Sequence, residues 1–76
     1  MARTTLDREA VLIRRFNSRV RSEIRRRHVN QAKVAYYVGI TQPMFSERLN
    51  EKAHWTLQQA LGICEFLEIP EEEMFK

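Results

Sequence analysis

The chain has 76 residues, 43% of them hydrophobic and 30% charged, with a net charge of +3 and only two glycines, two prolines and one cysteine. A chain of this length makes one domain, residues 1–76, whose core stabilises only marginally by itself, and a lone cysteine excludes an intramolecular disulfide. No apolar run approaches the roughly 20 residues of a membrane span, and the opening MARTTLDRE does not read as a signal peptide, so a cytoplasmic, all-helical protein is expected.

In chain order, Met1 to Thr5 is expected to fray. Thr5 would then cap a long helix from about Leu6 to Arg27, with Asp7 and Glu9 near its positive end. Leu6, Ala10, Ile13, Phe16, Val20 and Ile24 recur every three or four residues and make one apolar stripe. Seven arginines lie between positions 14 and 27, with Glu23 the only acid among them. On a helical wheel Arg14, Arg21 and Arg25 fall along one edge of the stripe, while Arg15, Arg19 and Arg26 lie on the outer side. Such rows either reach the phosphates of a polyanion or keep the helix soluble. Val11 and Leu12 fall off the stripe, either as ordinary exposed residues or as part of a subunit contact.

The link from His28 to Asn30 is short, with Val29 expected to plug the core. Asn30 can cap a second helix from Gln31 to Val38, and Thr41 a third running to about Leu49. Gly39 stands between them, where the backbone needs positive φ. Val34, Ala35 and Val38 face the same side as Ile40, Phe45 and Leu49, and Ala35 is small where the two helices cross. The outer face of the third helix carries Thr41, Gln42, Pro43, Ser46 and Glu47, a row with almost no packing role. That is the composition of a reading surface.

After Asn50 the segment EKAHW reads as a loop. Thr56 with Gln59 makes a capping box, and Trp55 a staple, for a fourth helix from about Thr56 to Leu67. Leu57, Ala60, Leu61, Cys64 and Leu67 form its expected core face, with Cys64 a small buried hydrophobe. Ile63 and Phe66 widen that face, either under a fifth helix or at a dimer interface. Ile69 and Pro70 end the helix, and one more turn follows, with Glu71 to Glu73 at its positive end and Met74 and Phe75 folded back onto the core.

Charge is distributed unevenly along these elements. Residues 1–52 hold twelve Arg or Lys against five Asp or Glu, a net of +7, whereas residues 53–76 hold one against five, a net of −4. The basic part suits a polyanion, and the acidic end is expected to turn away from it. His28 and His54 have no partner at ligand spacing, so neither a metal site nor a cofactor is expected. No group of carboxylates, His, Ser or Cys has catalytic spacing, which argues against an enzyme.

The central stretch QAKVAYYVGITQPMFSERLN resembles the helix-turn-helix of the phage repressor and Cro family. The likeness rests on Gln31 opening the first helix of the pair, Ala35 four residues on, Gly39 at the turn, Ile40 after it, the pair Thr41 and Gln42, and the apolar anchor Phe45. It continues through SERLNEK and WTLQQALGICEFLEIPEEEMF and covers roughly residues 16–75. Two departures are Arg48, where many members keep an aliphatic residue, and Glu51, where a glycine often follows the recognition helix. Many relatives also pair an arginine of the first helix with an acid after the recognition helix; here Ile24 and Leu49 take those places and are expected to be apolar.

The resemblance implies an all-α, five-helix repressor-like domain with a central helix-turn-helix and, in this chain, an extended first helix. It also implies a transcriptional regulator, most often a repressor of a phage or mobile element, that binds a palindromic double-stranded DNA operator as a homodimer. Base readout would fall to Thr41, Gln42, Pro43, Ser46 and Glu47, since a glutamine amide can pair with adenine and a carboxylate can accept from cytosine. Phosphates would be held by Gln31, Asn30 and Lys33 at the start of the second helix, by Arg25, Arg26 and Arg27, and by Arg48, Asn50 and Lys52 beyond the groove. Two rival readings are an antitoxin that binds its operator and a toxin protein, and a recombination accessory protein that bends DNA.

Overall fold

A computed structural model describes the backbone of residues 2–76 and the side chains of residues 8–76. The basic, amphipathic N-terminal third forms one helix, α1 (Ala2–Arg27, 26 residues). At 1.5 Å per residue it is about 39 Å long, and the longest dimension of the molecule is 40 Å. So α1 is the spine on which the rest is packed. It begins at Ala2, ahead of the expected start, and Thr5 therefore lies within the helix and does not cap it. The side chains of Leu6 and Asp7 fall outside the described residues.

Three shorter helices follow: α2 (Gln31–Val38), α3 (Gln42–Leu49) and α4 (Leu57–Leu67). Each starts at the expected cap. Asn30 accepts from the Ala32 amide, Thr41 from Met44, and Thr56 from Gln59, whose side chain in turn accepts from the Thr56 amide. The described residues are helical with no strand, but the five-helix count is corrected. The fifth element is a single 3-10 turn, Glu71–Glu73, because Met74 must enter the core immediately after it and leaves no length for an α-helix.

All four helices end in the same way. The amides of Val29, Ile40, Lys52 and Ile69 each reach back to the carbonyl five residues earlier, of Ile24, Ala35, Glu47 and Cys64. The residue before each of them has positive φ: His28 at 55°, Gly39 at 82°, Glu51 at 64° and Glu68 at 58°. This is the Schellman ending, which answers otherwise unpaired helical carbonyls. Its apolar partner is present three times, since Val29, Ile40 and Ile69 pack on or within the core. After α3 that position is Lys52, which is exposed.

The core gathers Phe16 and Val20 of α1, Val34 and Ala35 of α2, Phe45 and Leu49 of α3, and Ala60, Ile63, Cys64 and Leu67 of α4, closed by Ile69 and Met74. Ile24 is partly buried against this cluster. One expected face is corrected. Ile63 is fully buried, while Leu57 is 70% exposed and Leu61 lies at the surface. The cause is the docking of α2 on the other flank of α4. Gly62 carries no Cβ, and one built there would stand 3.0 Å from Val38 Cγ1. On the same flank Tyr37 packs against Phe66, with ring centroids 5.2 Å apart. That close approach turns α4 toward Ile63 and leaves Leu57 and Leu61 uncovered.

A left-handed residue with a Cβ costs about 1–2 kcal/mol relative to glycine, partly offset by glycine's greater freedom when unfolded. Glu51→Gly is therefore expected to stabilise the domain by roughly 0.5–1 kcal/mol and raise Tm by roughly 2–8 °C. Thermal melting checks this; an unchanged or lower Tm would show that Glu51 has another role at the end of α3.

Candidate functional site

The outer face of α3 is where chemistry is most available. Phe45 and Leu49 turn inward and are buried, which leaves Thr41, Gln42, Pro43 and Glu47 exposed and Ser46 partly so. The Thr41 hydroxyl oxygen already accepts from the Met44 amide at 3.3 Å, so it retains for a partner its own proton and one lone pair. Gln42 and Glu47 make no side-chain hydrogen bond with the other described residues, so the Gln42 amide and the Glu47 carboxylate face outward with their hydrogen-bonding groups available. Pro43 falls in the first turn, where its missing N–H costs nothing.

An eight-residue helix does not stand alone in water. Its last four carbonyls show what supports it. Ser46 accepts from the Asn50 amide, Glu47 from Lys52, and Arg48 from Glu51. The other donors come from α1: Asn17 Nδ2 gives a second bond to the Arg48 carbonyl at 3.3 Å, and Arg21 donates to the Leu49 carbonyl and, at 3.0 Å, to Asn50 Oδ1. Asn17 is itself only 1% exposed, and its oxygen accepts from the Trp55 indole at 2.7 Å. The Trp55 ring also packs edge-on against Phe16 and Phe45. Neither Asn17 nor Trp55 declares this support of α3 in the sequence. The available signal was an asparagine beside Phe16 on a stripe otherwise made of aliphatic and aromatic residues.

The remaining residues expected to bind phosphate divide into two groups. Asn30 spends its oxygen on the Ala32 amide at 2.7 Å and keeps its NH2; Gln31 is partly buried, and Lys33, Arg25, Asn50 and Lys52 are exposed. Arg48, by contrast, folds back, donating from Nε to the His54 carbonyl at 3.1 Å and from a terminal nitrogen to Met44 at 3.2 Å. The arginine thereby braces α3 against the following loop. Arg26 and Arg27 converge with Arg19 on the buried carboxylate of Glu23, at 2.6, 3.0 and 3.1 Å.

The same cluster brings the acidic end of the chain against one flank of the basic helix. Glu73 pairs with Arg19 at 3.3 Å and Glu68 with Arg27 at 3.7 Å. Three arginines meet three glutamates, so this flank of α1 is balanced in charge. Opposite charges at the two ends of the chain draw them together once the fold brings them within reach.

Among the described residues, no three His, Cys, Asp or Glu side chains gather into a metal-binding group, and no helix is long and apolar enough to cross a membrane. Cys64 is buried, which pushes its thiol up from the ordinary range and leaves little reactive thiolate at neutral pH.

The Glu23 carboxyl is held at about 2, below its ordinary 4.5, by the hydrogen bond from Arg26 against the opposing effect of burial, with further bonds from Arg27 and Arg19. A depressed folded-state value stabilises the native state above about pH 4.5, and that stabilisation is lost as pH falls toward 2. Glu23→Gln is expected to lower Tm at pH 7, with the gap to the parent protein narrowing between pH 4.5 and 2 in a melting series. Asn17→Ala removes the partner of both the indole N–H and an α3 carbonyl, at an expected cost of roughly 2–4 kcal/mol in denaturant unfolding. A loss below 0.5 kcal/mol, on the order of a neutral surface change, would mean water replaces it without penalty. Comparison with protein-family models, with curated proteins and with solved structures finds no match to this chain.

Proposed function

We propose that this protein is a sequence-specific double-stranded DNA-binding regulator of transcription. On this reading it is a repressor or Cro-like protein of a phage or mobile element, with α2 and α3 as a helix-turn-helix. The observation that carries the reading is the pairing of an outward polar face on α3 with a first turn fixed by the Thr41 cap, on a helix whose other end is tied to α1. A short, rigidly held helix with an exposed N-terminal glutamine suits the major groove, where Gln42 can offer donor and acceptor together to an adenine edge. Ser46 and Glu47 would lie about one turn further along the groove, and Pro43 would meet a thymine methyl group. Binding by Asn30, Gln31, Lys33, Asn50 and Lys52 to phosphates would set the register. A module of this size covers little DNA, so a two-fold dimer on a palindrome, with half-sites roughly 34 Å apart, is the expected working form.

A second reading, an antitoxin that binds both an operator and a toxin protein, draws on the apolar surface left by Leu57 and Leu61 and on Tyr36, which is 87% exposed on α2. A protein that copurifies with the chain and covers these residues would favour it.

Selection of bound fragments from a random duplex pool tests the first reading, with enrichment of a short palindrome as the expected result. Gln42→Ala should then relax base preference at one position per half-site, at a cost of roughly 1–3 kcal/mol on the selected sequence. Equal loss on every sequence would remove Gln42 from base readout.

A further inference from the structure

The two edges of α1 are not equivalent. Arg19, Arg26 and Arg27 are occupied by Glu23, Glu68 and Glu73. Arg14, Arg21 and Arg25, seven and four residues apart, follow the other edge, all exposed and with no acid within 4 Å among the described residues. From Arg14 to Arg25 this row runs about 16 Å along the helix, a length that spans several phosphates of one DNA strand. Arg21 joins the row to the end of α3 by its bonds to the Leu49 carbonyl and Asn50 Oδ1.

Resting on the DNA-binding reading, we infer that Arg21 positions the Asn50 amide for a phosphate, and that Arg14 and Arg25 extend this contact along the same strand. The argument is one of donors and acceptors. A phosphate oxygen accepts only, so an asparagine can bind it through its NH2 group alone. Because Arg21 occupies Oδ1, the amide has a fixed sense and presents its two N–H groups away from α1. Arg21 adds a positive charge behind that amide, and its bond to the Leu49 carbonyl holds the α3 terminus in place. The arginines of the balanced flank, including Arg26, contribute little net charge to this edge. The phosphate-binding arginines are thereby sorted by where the acidic side chains fold, with Arg21 joining Arg25 and with Arg26 and Arg27 dropping out.

The test measures affinity for a selected duplex against salt concentration for the parent protein and five variants. Arg14→Gln with Arg25→Gln, whose side chains bond to no other described residue, should lower the slope of log K against log salt by about 1.8, or 0.9 per phosphate, and weaken all sequences alike. Arg26→Gln should leave the slope within about 0.3 of the parent, well under one contact. Asn50→Ala should weaken binding several-fold in the parent but much less in an Arg21→Gln background, because the amide is no longer oriented there. An unchanged slope in the double variant, or an equal Asn50→Ala loss in both backgrounds, overturns the inference. If Gln42→Ala leaves base preference intact while the slopes change as stated, the assignment of α3 as the reading helix fails and the phosphate edge stands.

Discussion

The carbonyl end of α3 is the constraint on which the arrangement depends. Eight residues form too few internal hydrogen bonds to offset the cost of ordering them, so the helix persists only because neighbouring segments complete it. The Schellman turn through Glu51 and Lys52 supplies part of that completion, and Asn17 and Arg21 supply the rest from the middle of α1. The surface residues of α3 can therefore remain free of structural duty. Gln42 and Glu47 stand outward because Phe45 and Leu49, together with donors from another helix, hold the backbone beneath them.

Asn17 is the centre of that support. Burying an amide is costly unless both of its ends are answered, and here the oxygen takes the Trp55 indole while the nitrogen reaches the Arg48 carbonyl. The network joins α1, the end of α3 and the loop before α4 in one contact, with the Phe16, Phe45 and Trp55 rings packed around it. An apolar side chain at position 17 would pack, but it would not fix the position of the α3 terminus.

Electrostatics divides the spine lengthwise. Glu23 draws three arginines toward the C-terminal turn, where Glu68 and Glu73 complete a balanced cluster. Salt screens the exposed members Glu68 and Glu73, so those two pairs do less to stabilise than to settle which arginines stay available. Arg14, Arg21 and Arg25 remain on the edge that adjoins Asn50, while the charge on the other edge is cancelled.

Local signals were enough to locate α2, α3 and α4. Asn30, Thr41 and Thr56 cap them through atoms within three residues, and Gly39 adopts φ of 82° because only that local geometry lets α2 end and α3 begin so soon. The polar row of α3 was legible for the same reason, since Phe45 and Leu49 define its inner side by spacing alone. Three other helix ends use His28, Glu51 and Glu68 in the left-handed region, and side chains of that kind carry no advance sign of it. The rotation of α4 depended on Val38 meeting Gly62 across the fold, which hid Ile63 and exposed Leu57. The support of α3 by Asn17 and Arg21, and the neutralisation of Arg19 and Arg27, join residues between 28 and 54 positions apart. Periodicity and capping act within a turn or two of chain, so they determined where α2, α3 and α4 start and which face of α3 is polar. Which charges cancel, and which donors complete a short helix, was decided only when distant segments came into contact.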